Sequence, residues 1–555
     1  MRESSGETGG AALDGPIPLS ARRRRAVTAG VMTGMFLAAL EATVVSTAMP
    51  TVIATLGGIS HYSWVFSAYI ITSTVTVPIW GKLSDLYGRR PLFQVGVALF
   101  LLGSVLSGLS TSMAQLIAFR AVQGLGAGAL IPLGMTIIGD VYTTEERARM
   151  QAYFSGVWGV ASVIGPLAGG FITDRMSWRW VFYLNVPFGI AAALIIGLAL
   201  TEPRRQERPS IDYLGALTLT AAITLLMLAL VEGGSSLAAL ASARNLALLG
   251  GAALFAVFFL LAERRAADPI VPLDIFRERV VAVAVAAGFL AGVAMFGVTT
   301  FVPLFAQGSL GASATAAGTL LTPMLLSWVG LSIVGGRLLL RVGYRTTCVT
   351  GFAVLTLGLA LLANVGLETP RFWLYFDLAL VGSGLGLTML TLLLAVQQSV
   401  PRTRLGVATS LNQFSRSIGG AVGVAVLGAV LSAGLDARLQ EAARGGGAGL
   451  SAELAAELAA DPSALLEPSA RAALPPEALR ALRGALASSV HNIFWAAAAA
   501  ALLALLVVTR LPRAGDGGPR PPTPEATSTE AGERLLAAEL APLAPEHQPT
   551  ASRAD

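Results

Sequence analysis

Apolar stretches long enough to cross a membrane recur along the whole chain. Each has about 18 residues or more, which as a helix would span ~30 Å of hydrocarbon. The pattern predicts an all-α integral membrane protein with fourteen transmembrane helices. The predicted spans are residues 26–50, 63–80, 91–110, 114–138, 151–173, 180–200, 211–231, 246–262, 280–305, 315–335, 347–364, 372–396, 406–432 and 489–509.

The composition agrees with a membrane protein. Of 555 residues, 54% are hydrophobic and 13% are charged, whereas a soluble domain carries about 25% charged residues. The single cysteine, Cys348, excludes an intramolecular disulfide, and no Cys/His cluster indicates a structural metal. The formal charge of +5 would suit an anionic partner such as nucleic acid. Most arginines, however, lie in short loops between apolar runs, which is a topology signal.

The positions of the arginines predict the orientation in the membrane. Arg22–Arg25 precede the first apolar stretch, which is too long for a cleaved signal peptide and lacks a convincing cleavage site. We therefore interpret that stretch as a retained span. If the N-terminus is cytoplasmic, most loop arginines lie in the cytoplasm, which predicts that both termini are cytoplasmic. The short outer loops then keep only Arg175, Arg179, Arg244 and Arg371.

Three segments outside the spans have their own character. Residues 1–25 and 511–555 are rich in small, polar and charged residues, and we expect disordered cytoplasmic tails. The long outer segment, 434–488, contains leucines at helical spacing around residues 450–458 and 479–486. That spacing fits either a loop with two surface helices or a lid over the outer mouth of a pathway.

Two sequence patterns occur twice at nearly the same offset. Gly81–Arg90 follows the second span, and Gly336–Arg345 follows the tenth span 255 residues later. The glycine-rich run Gly124–Gly128 is echoed by Gly382–Gly386 at an offset of 258. Such repeats predict two homologous halves, which usually hold a substrate site at their interface near the midplane. The predicted units are a six-helix bundle at 26–200, a linker with two extra transmembrane helices at 201–279, and a six-helix bundle at 280–510.

Glu41 lies inside the first span. A carboxylate there costs free energy, so it usually serves a function. Burial disfavours the charged carboxylate and a nearby arginine favours it, so a group held between the two effects can load and release a proton. The alternative is a buried carboxylate that is permanently satisfied.

Arg120 lies inside the fourth span and also needs a partner. From the rise of a helix, it is ~9 Å from the outer end of its span, and Glu41 is ~14 Å from the outer end of its own. These depths are compatible with a contact. Two interpretations remain: Arg120 clamps backbone carbonyls and Gln123, or it tunes a neighbouring carboxylate.

Four motifs, in order and each on its proper span, resemble the major facilitator superfamily, and more closely its fourteen-span branch of drug:proton antiporters. The motifs are the loop Gly81–Arg90, the fourth-span run Leu116–Gly124, the fifth-span run Gly159–Gly170 and the first-span run Leu40–Pro50. The resemblance covers about residues 26–510. In the first-span motif, Glu41 stands where aspartate is commoner.

The resemblance implies that the loop motif gates conformational change through Gly81, Asp85, Gly88, Arg89 and Arg90. It implies that Asp85 faces the N-terminal end of the thirteenth span, near residue 406, where a helix dipole favours a carboxylate. The alternative is a tight glycine turn with charges that only set topology. In the second copy of the motif residue 340 is a leucine, so only the first half is expected to carry a strong latch.

The fifth-span motif predicts close helix packing. Its small residues let helices approach, and its proline adds a kink. The resemblance gives this packing the role of a hinge or a seal between halves, and ordinary packing is the alternative. The residues are Gly159, Gly165, Pro166, Gly169 and Gly170.

Polar residues in the other spans are candidates for a substrate cavity. Asp377 would bind a cationic substrate or a second proton, or be an interfacial acid. Arg416 would be a cavity charge or a structural clamp. The candidate set is Gln123, Asp377, Asn412 and Arg416.

The sequence thus predicts a secondary transporter rather than an enzyme. The resemblance implies a monomeric, proton-coupled multidrug antiporter that exports lipophilic or cationic compounds across a bacterial cytoplasmic membrane. We expect no cofactor beyond the proton gradient and no nucleic-acid partner. The run Gly124-x-Gly126 lacks the lysine of a phosphate-binding loop, so ATP drive is unsupported. The alternatives are export of a lipid, siderophore or endogenous metabolite, or a receptor that does not transport.

Overall fold

The computed structural model describes residues 17, 19–56, 62–202, 212–233, 237–312, 314–444 and 476–513. Within these residues the regular structure is helical and contains no strand, so the predicted all-α class is confirmed. The helices are α1 (Ala21–Leu56), α2 (Tyr62–Tyr87), α3 (Arg89–Leu109), α4 (Met113–Val141), α5 (Thr144–Arg175), α6 (Trp180–Tyr183), α7 (Asn185–Ala199), α8 (Tyr213–Gly233), α9 (Leu237–Leu240), α10 (Ala243–Glu263), α11 (Arg279–Gly308), α12 (Ala314–Thr319), α13 (Thr322–Leu362), α14 (Arg371–Ser399), α15 (Leu405–Arg444) and α16 (Pro476–Val508).

Among the described residues, 13 helical segments are long and apolar enough to cross a membrane. Each coincides with a predicted span. The remaining predicted span, 151–173, lies in α5, a helix of 32 residues in which many side chains are outside the described set. A multi-pass membrane fold is therefore confirmed, and the count of fourteen spans stays a prediction.

The two copies of the loop repeat make the same backbone turn. Gly88 separates α2 from α3 with φ 96°, and Gly343 breaks α13 into two arms with φ 82°. Both angles lie in the left-handed region that glycine adopts without steric cost. The eighth position of the repeat is therefore a glycine for the same conformational reason in both copies.

The two glycine-rich runs also pack in the same way. A Cβ on Gly124 would lie 2.5 Å from the carbonyl oxygen of Tyr69, and one on Gly382 would lie 2.0 Å from that of Met324. A Cβ on Gly126 or Gly384, two residues further along each run, would instead meet the helix that follows the loop repeat. The atoms met belong to Phe100 and Leu355 respectively. Small residues allow this close approach of helix backbones. The repeat is thus structural, while the unit boundaries near 200 and 280 stay predictions.

Helix contacts divide the chain into two groups. Helices α1–α7, here called the N-half, pack mainly against one another, and α11–α16, the C-half, do the same. The halves meet along two seams, α2 against α15 and α5 against α13. The inserted helices α8 and α10 pack together, and α8 contacts both α2 and α15.

Helices extend into the predicted outer segment 434–488 from both ends, while its place outside the membrane stays a prediction. Helix α15 continues to Arg444, and α16 already begins at Pro476. Leu435 on α15 and Leu482 on α16 are both buried, and these two helices pack together. The leucine spacing around 479–486 thus belongs to a buried helix, since Leu482 and Leu486 are both buried. The leucines around 450–458 lie outside the described residues.

The predicted tails are largely outside the described residues, which exclude 1–16 and 514–555. At the N-terminal side the structure differs from the prediction, because Arg22–Arg25 belong to α1. Ser20 stabilises this helix start by accepting a hydrogen bond from the backbone N–H of Arg23 at 3.4 Å.

Gly126→Val tests the contact between α3 and α4. A Cβ on Gly126 would lie 2.2 Å from the Phe100 nitrogen and 2.4 Å from the Gly96 carbonyl oxygen. Neither backbone atom can move independently, so we expect a destabilisation of about 1–3 kcal/mol, as for an overpacked core. The measurement is the melting temperature of the purified protein in detergent. Gly250→Val on α10 is the control, since a Cβ there meets nothing within 4 Å. Equal melting temperatures for the two variants would contradict this packing.

Candidate functional site

The two charged side chains predicted inside spans one and four form a buried ion pair. Glu41 on α1 is 1% exposed and Arg120 on α4 is 2% exposed. The Arg120 guanidinium donates through Nη1 to Glu41 Oε1, and the same nitrogen donates to Gln123 Oε1 at 2.7 Å. The contact that their membrane depths allow is therefore present.

The second carboxylate oxygen of Glu41 is held by Asn185, at the start of α7. Asn185 Nδ2 donates to Glu41 Oε2 at 2.5 Å and to Ser104 Oγ at 2.9 Å. Ser104 Oγ also accepts from Gln123 Nε2 at 3.3 Å and donates to the Phe182 carbonyl at 2.8 Å. With two bonds accepted and one donated, this hydroxyl uses its whole hydrogen-bonding capacity.

Arg120 is enclosed on its remaining sides by α2. Its Nε donates to the Val65 carbonyl at 3.3 Å. Its Cζ lies 4.3 Å from the centre of the Tyr69 ring, a cation–π contact. Both sequence interpretations of Arg120 are thus present together in the geometry, because it binds a backbone carbonyl and Gln123 as well as a carboxylate.

The network around Glu41 is closed to solvent in this conformation. Glu41, Arg120, Gln123, Asn185 and Ser104 are all buried. Inside a protein the attraction of such a pair must offset the desolvation of both charges, which it does only when the other polar atoms are satisfied as well. Here both carboxylate oxygens have a donor, so removal of either partner would leave an uncompensated charge.

Asp85, in the loop motif, caps a helix of the other half. Its Oδ1 accepts from the Gly406 N–H at 3.0 Å, and its Oδ2 accepts from the Val407 N–H at 2.8 Å. These N–H groups are at the start of α15, where the helix dipole favours negative charge. The expected contact of Asp85 near residue 406 is present.

Arg89 ties this carboxylate to further groups. Its Nη2 donates to Asp85 Oδ1 at 2.8 Å and to the Arg402 carbonyl of the C-half at 3.0 Å. Its Nε lies 2.8 Å from Asp140 Oδ2, an ion pair without an aligned hydrogen bond. Arg402 in turn donates to the Asp140 carbonyl at 3.3 Å. We call Asp85, Arg89, Asp140, Arg402 and the start of α15 the latch.

The backbones of α2 and α15 touch beside the latch. A Cβ on Gly81 would lie 2.1 Å from Ser410 Oγ, and one on Gly406 would lie 2.6 Å from the Gly81 carbonyl oxygen. Glycine at the first motif position is therefore required by close approach of the two halves. Gly88 and Arg90 lie at the start of α3, away from this contact. There the backbone N–H groups of Arg89 and Arg90 donate to the Glu202 carboxylate at 2.9 and 3.2 Å.

A further contact between halves lies at the same end of the bundle. Arg147 on α5 donates through Nη1 to Gln397 Oε1 of α14 at 3.2 Å and through Nη2 to the Gly139 carbonyl. Burial, assisted by the nearby Arg402, lowers the pKa of Arg147 to about 10, so the side chain is still charged at neutral pH. We call this end of the bundle, where Arg22–Arg25 also lie, the basic side. The two halves are in direct contact there, through Arg147, Arg402 and Asp85.

The fifth-span residues contribute to packing unequally. A Cβ on Gly165 would lie 2.0 Å from Thr43 Oγ1 of α1, whereas one on Gly170 would meet nothing within 4 Å. Gly169 is buried. Gly159 and Pro166 belong to α5, but their packing is outside the described set. Gly165 thus packs α5 within its own half, and the hinge role stays a prediction.

The four cavity candidates do not come together at one place. Gln123 belongs to the Glu41 network. Asp377 is 3% exposed on the face of α14 that carries Leu374 and Val381, which are buried among the helices of the C-half. Asn412 and Arg416 both lie on α15, and Arg416 is partly exposed. A binding role for each residue stays a prediction.

Several functional contacts were missed by the sequence reasoning. Asn185, Ser104, Asp140, Arg402 and Glu202 complete the Glu41 network, the latch and the start of α3. Asp140 had a usable signal, since it is an acid at the basic-side end of an apolar span. Ser104 had none, because serines are common in membrane helices.

A sequence model of the Major Facilitator Superfamily matches residues 31–424. Among curated proteins, the chain is 41% identical over 399 residues to the multidrug transporter protein MdtP of Bacillus subtilis, covering 72% of this chain and 73% of the relative. It is 38% identical over 397 residues to multidrug resistance protein 3 of the same species, covering 71% and 77%. Among solved structures, the human organic anion transporter MFSD10 is similar with TM-score 0.56 and 16% identity, over 87% of this chain and 99% of that chain.

Asp85→Asn tests the latch. The amide keeps the shape of Asp85 but removes the charge that faces the α15 helix start and Arg89, and hydrogen bonds to charged groups contribute about 1.5–3 kcal/mol. We expect the latch to open more often. The measurement is alkylation by N-ethylmaleimide of a cysteine at Val407, a buried position, in a Cys348→Ala background. We expect the alkylation rate to rise ~10-fold or more, since 1.4 kcal/mol corresponds to tenfold.

Asp274→Asn is the matched control for the latch. Asp274 pairs with Arg404 in an exposed contact of 2.6 Å close to the same helix start. Exposed pairs contribute about 0–1 kcal/mol, so we expect little change in alkylation. If both variants react at the same rate as the unsubstituted background, Asp85 does not hold the halves together.

Glu41→Gln and Arg120→Gln test the buried pair separately from any transport. Removing one partner of a buried ion pair costs about 3–5 kcal/mol, because the other charge stays buried. We expect each single variant to melt at a much lower temperature, and the double variant to recover part of the loss. The control is the pair Glu232→Gln and Arg244→Gln, an exposed contact of 2.8 Å. Additive losses in the Glu41/Arg120 double variant would contradict a direct pair.

Proposed function

The chain belongs to the major facilitator superfamily, and we propose that it is a proton-coupled antiporter that exports lipophilic or cationic compounds. The family match and the transporter relatives identify it as a membrane transporter rather than an enzyme. Relatives named as multidrug transporters and efflux pumps support small organic substrates. Export, antiport and the use of protons are the parts that we propose.

The observation that carries the proposal is the Glu41 network. Glu41 is a buried carboxylate within a predicted membrane span, and it is paired with Arg120. A proton on Glu41 would neutralise the carboxylate and weaken the pair, leaving Arg120 to Gln123 and the Val65 carbonyl. The network contains groups from α1, α2, α3, α4 and α7, together with the Phe182 carbonyl of α6. Such a change would therefore alter contacts throughout the N-half. Protonation would thereby favour one conformation of the transporter over another.

The latch supplies the second conformational element. It holds the basic side closed through a carboxylate at a helix start and through Arg89. Leu340 stands at the position of the second copy that matches Asp85. The second copy therefore lacks the carboxylate that caps a helix start in the latch. In the proposed cycle the latch forms when the basic side is closed and breaks when substrate enters from that side.

The proposed setting is a bacterial cytoplasmic membrane with the basic side in the cytoplasm. Loop arginines concentrate on the cytoplasmic side of membrane proteins, and Arg22–Arg25 lie at the start of α1 on this side. The protein would act as a monomer, take up protons from outside and release them inside. It would need no cofactor other than the proton gradient.

Glu41→Gln in inverted membrane vesicles tests the coupling. Ethidium, a lipophilic cation, is the substrate, and its uptake into vesicles is followed by fluorescence after a proton gradient is imposed. We expect gradient-driven uptake for the wild type and a loss of at least tenfold in Glu41→Gln, because glutamine cannot bind a proton. Glu41→Asp is expected to retain part of the activity, since it keeps the acid. Uptake is normalised to the amount of folded protein in each preparation.

Two results would refute this proposal. Gradient-driven uptake that persists in Glu41→Gln would remove the proton-coupling role of Glu41. Wild-type vesicles that transport neither ethidium nor a neutral lipophilic dye would speak against multidrug export and favour a receptor or a narrow substrate.

A further inference from the structure

Arg416 is a positive charge in the middle of the C-half, and no carboxylate of the described residues pairs with it. It lies eleven residues after Leu405, the first residue of α15, which places it ~17 Å along the helix and near the centre of ~30 Å of hydrocarbon. Among the described residues, the ion pairs are formed by other arginines. A buried cation at this depth is costly unless something compensates it.

The contacts of Arg416 do not make it a clamp between helices. Its Nη2 donates to Gln413, one turn earlier on the same helix, and its Nη1 lies 3.4 Å from the sulfur of Met389 on α14. A thioether is a weak acceptor. Arg120, by contrast, binds a carboxylate, an amide oxygen and a backbone carbonyl of another helix. Of the five N–H donors of a guanidinium, Arg416 gives only one to an oxygen in the described structure.

The position of Arg416 is suited to a ligand that enters between the halves. On α15, Gly406 and Ser410 face α2 across the seam, and Gln413 follows on the same side at helical spacing. The backbone of Arg416 packs on α11, where a Cβ on Gly292 would lie 2.2 Å from the Arg416 carbonyl oxygen. The side chain is partly exposed and reaches toward α14. It therefore lies beside the seam, at the depth where halves of this kind hold their substrates.

Asp377 is less suited to bind a ligand of opposite charge. It is twelve residues before Met389 on α14, ~18 Å along the helix, so it does not neutralise Arg416. It is also nearly inaccessible, since only 3% of its surface is exposed. Of these two charged side chains, Arg416 is therefore the more accessible one.

We propose that Arg416 and Gln413 form a binding site for the carboxylate of an amphipathic organic acid, with Met389 against its apolar body. A guanidinium binds a carboxylate through two parallel hydrogen bonds, and methionine adapts to apolar groups of varied shape. This inference rests on the proposed transport function and adds acids to the lipophilic and cationic substrates. The bound acid would provide the negative charge that Arg416 lacks in the unliganded protein.

The test compares two probes that differ only in charge: 1-pyrenebutyrate and its primary amide. Binding to the full-length protein in detergent micelles is measured by fluorescence anisotropy, with no proton gradient. We expect the wild type to bind the acid about 10- to 100-fold more tightly than the amide, as for a hydrogen-bonded ionic contact. We expect Arg416→Gln to bind both probes equally, and Arg416→Lys to keep part of the preference. Arg371→Gln, at an exposed arginine at the start of α14, is the control and should keep the full preference.

The proposal is overturned if the wild type binds acid and amide equally, a result that does not depend on the folding of any variant. It is also overturned if Arg416→Gln, folded as judged by size-exclusion chromatography, keeps the preference for the acid. Failure of the proton-coupling proposal would be seen separately, as uptake of ethidium that is independent of Glu41. The two proposals therefore fail by different measurements.

Discussion

The N-half is assembled around one ion pair that cannot be left incomplete. Glu41 and Arg120 are both costly inside a bilayer, and each becomes tolerable only through the other and through the polar groups around them. Those groups come from α2, α3, α4 and α7, so the pair fixes the relative positions of most helices of this half. Any event that changes the charge of Glu41 acts on all these contacts at once.

The two halves share a backbone plan but differ in how they manage charge. The glycine turns at Gly88 and Gly343 and the paired glycine runs show the same packing twice. The N-half, however, pairs its central arginine with a carboxylate, and the C-half leaves Arg416 with an amide of its own helix. The latch is one-sided as well, because Asp85 is matched by Leu340. A symmetric fold thus carries an asymmetric distribution of charge, and our proposals assign the proton to one half and the acid to the other.

The sequence predicted the membrane fold and the main contact of the latch, because both depend on strong local signals. Hydropathy marks a span wherever the bilayer requires one. The contact near Gly406 was implied by the resemblance of Gly81–Arg90 to a family motif. The partners Asn185 and Ser104 were not predictable, since each is a common residue that becomes important only through a helix distant in sequence. The leucines around 479–486 were assigned to a surface helix, whereas Leu482 and Leu486 are buried, because leucine spacing is the same whether the leucines face a loop or another helix. Asp377 was a cavity candidate or an interfacial acid, two roles that depth in the span does not separate, because depth does not give the direction of a side chain.

Helix α8 packs across the seam between α2 and α15, whereas the seam between α5 and α13 has no comparable described helix across it. The surrounding lipid therefore meets the two joints of the molecule unequally. The molecule therefore has a front and a back within the plane of the membrane. A helix pair inserted between two repeated units thus removes the lateral symmetry that the repeat alone would give the molecule.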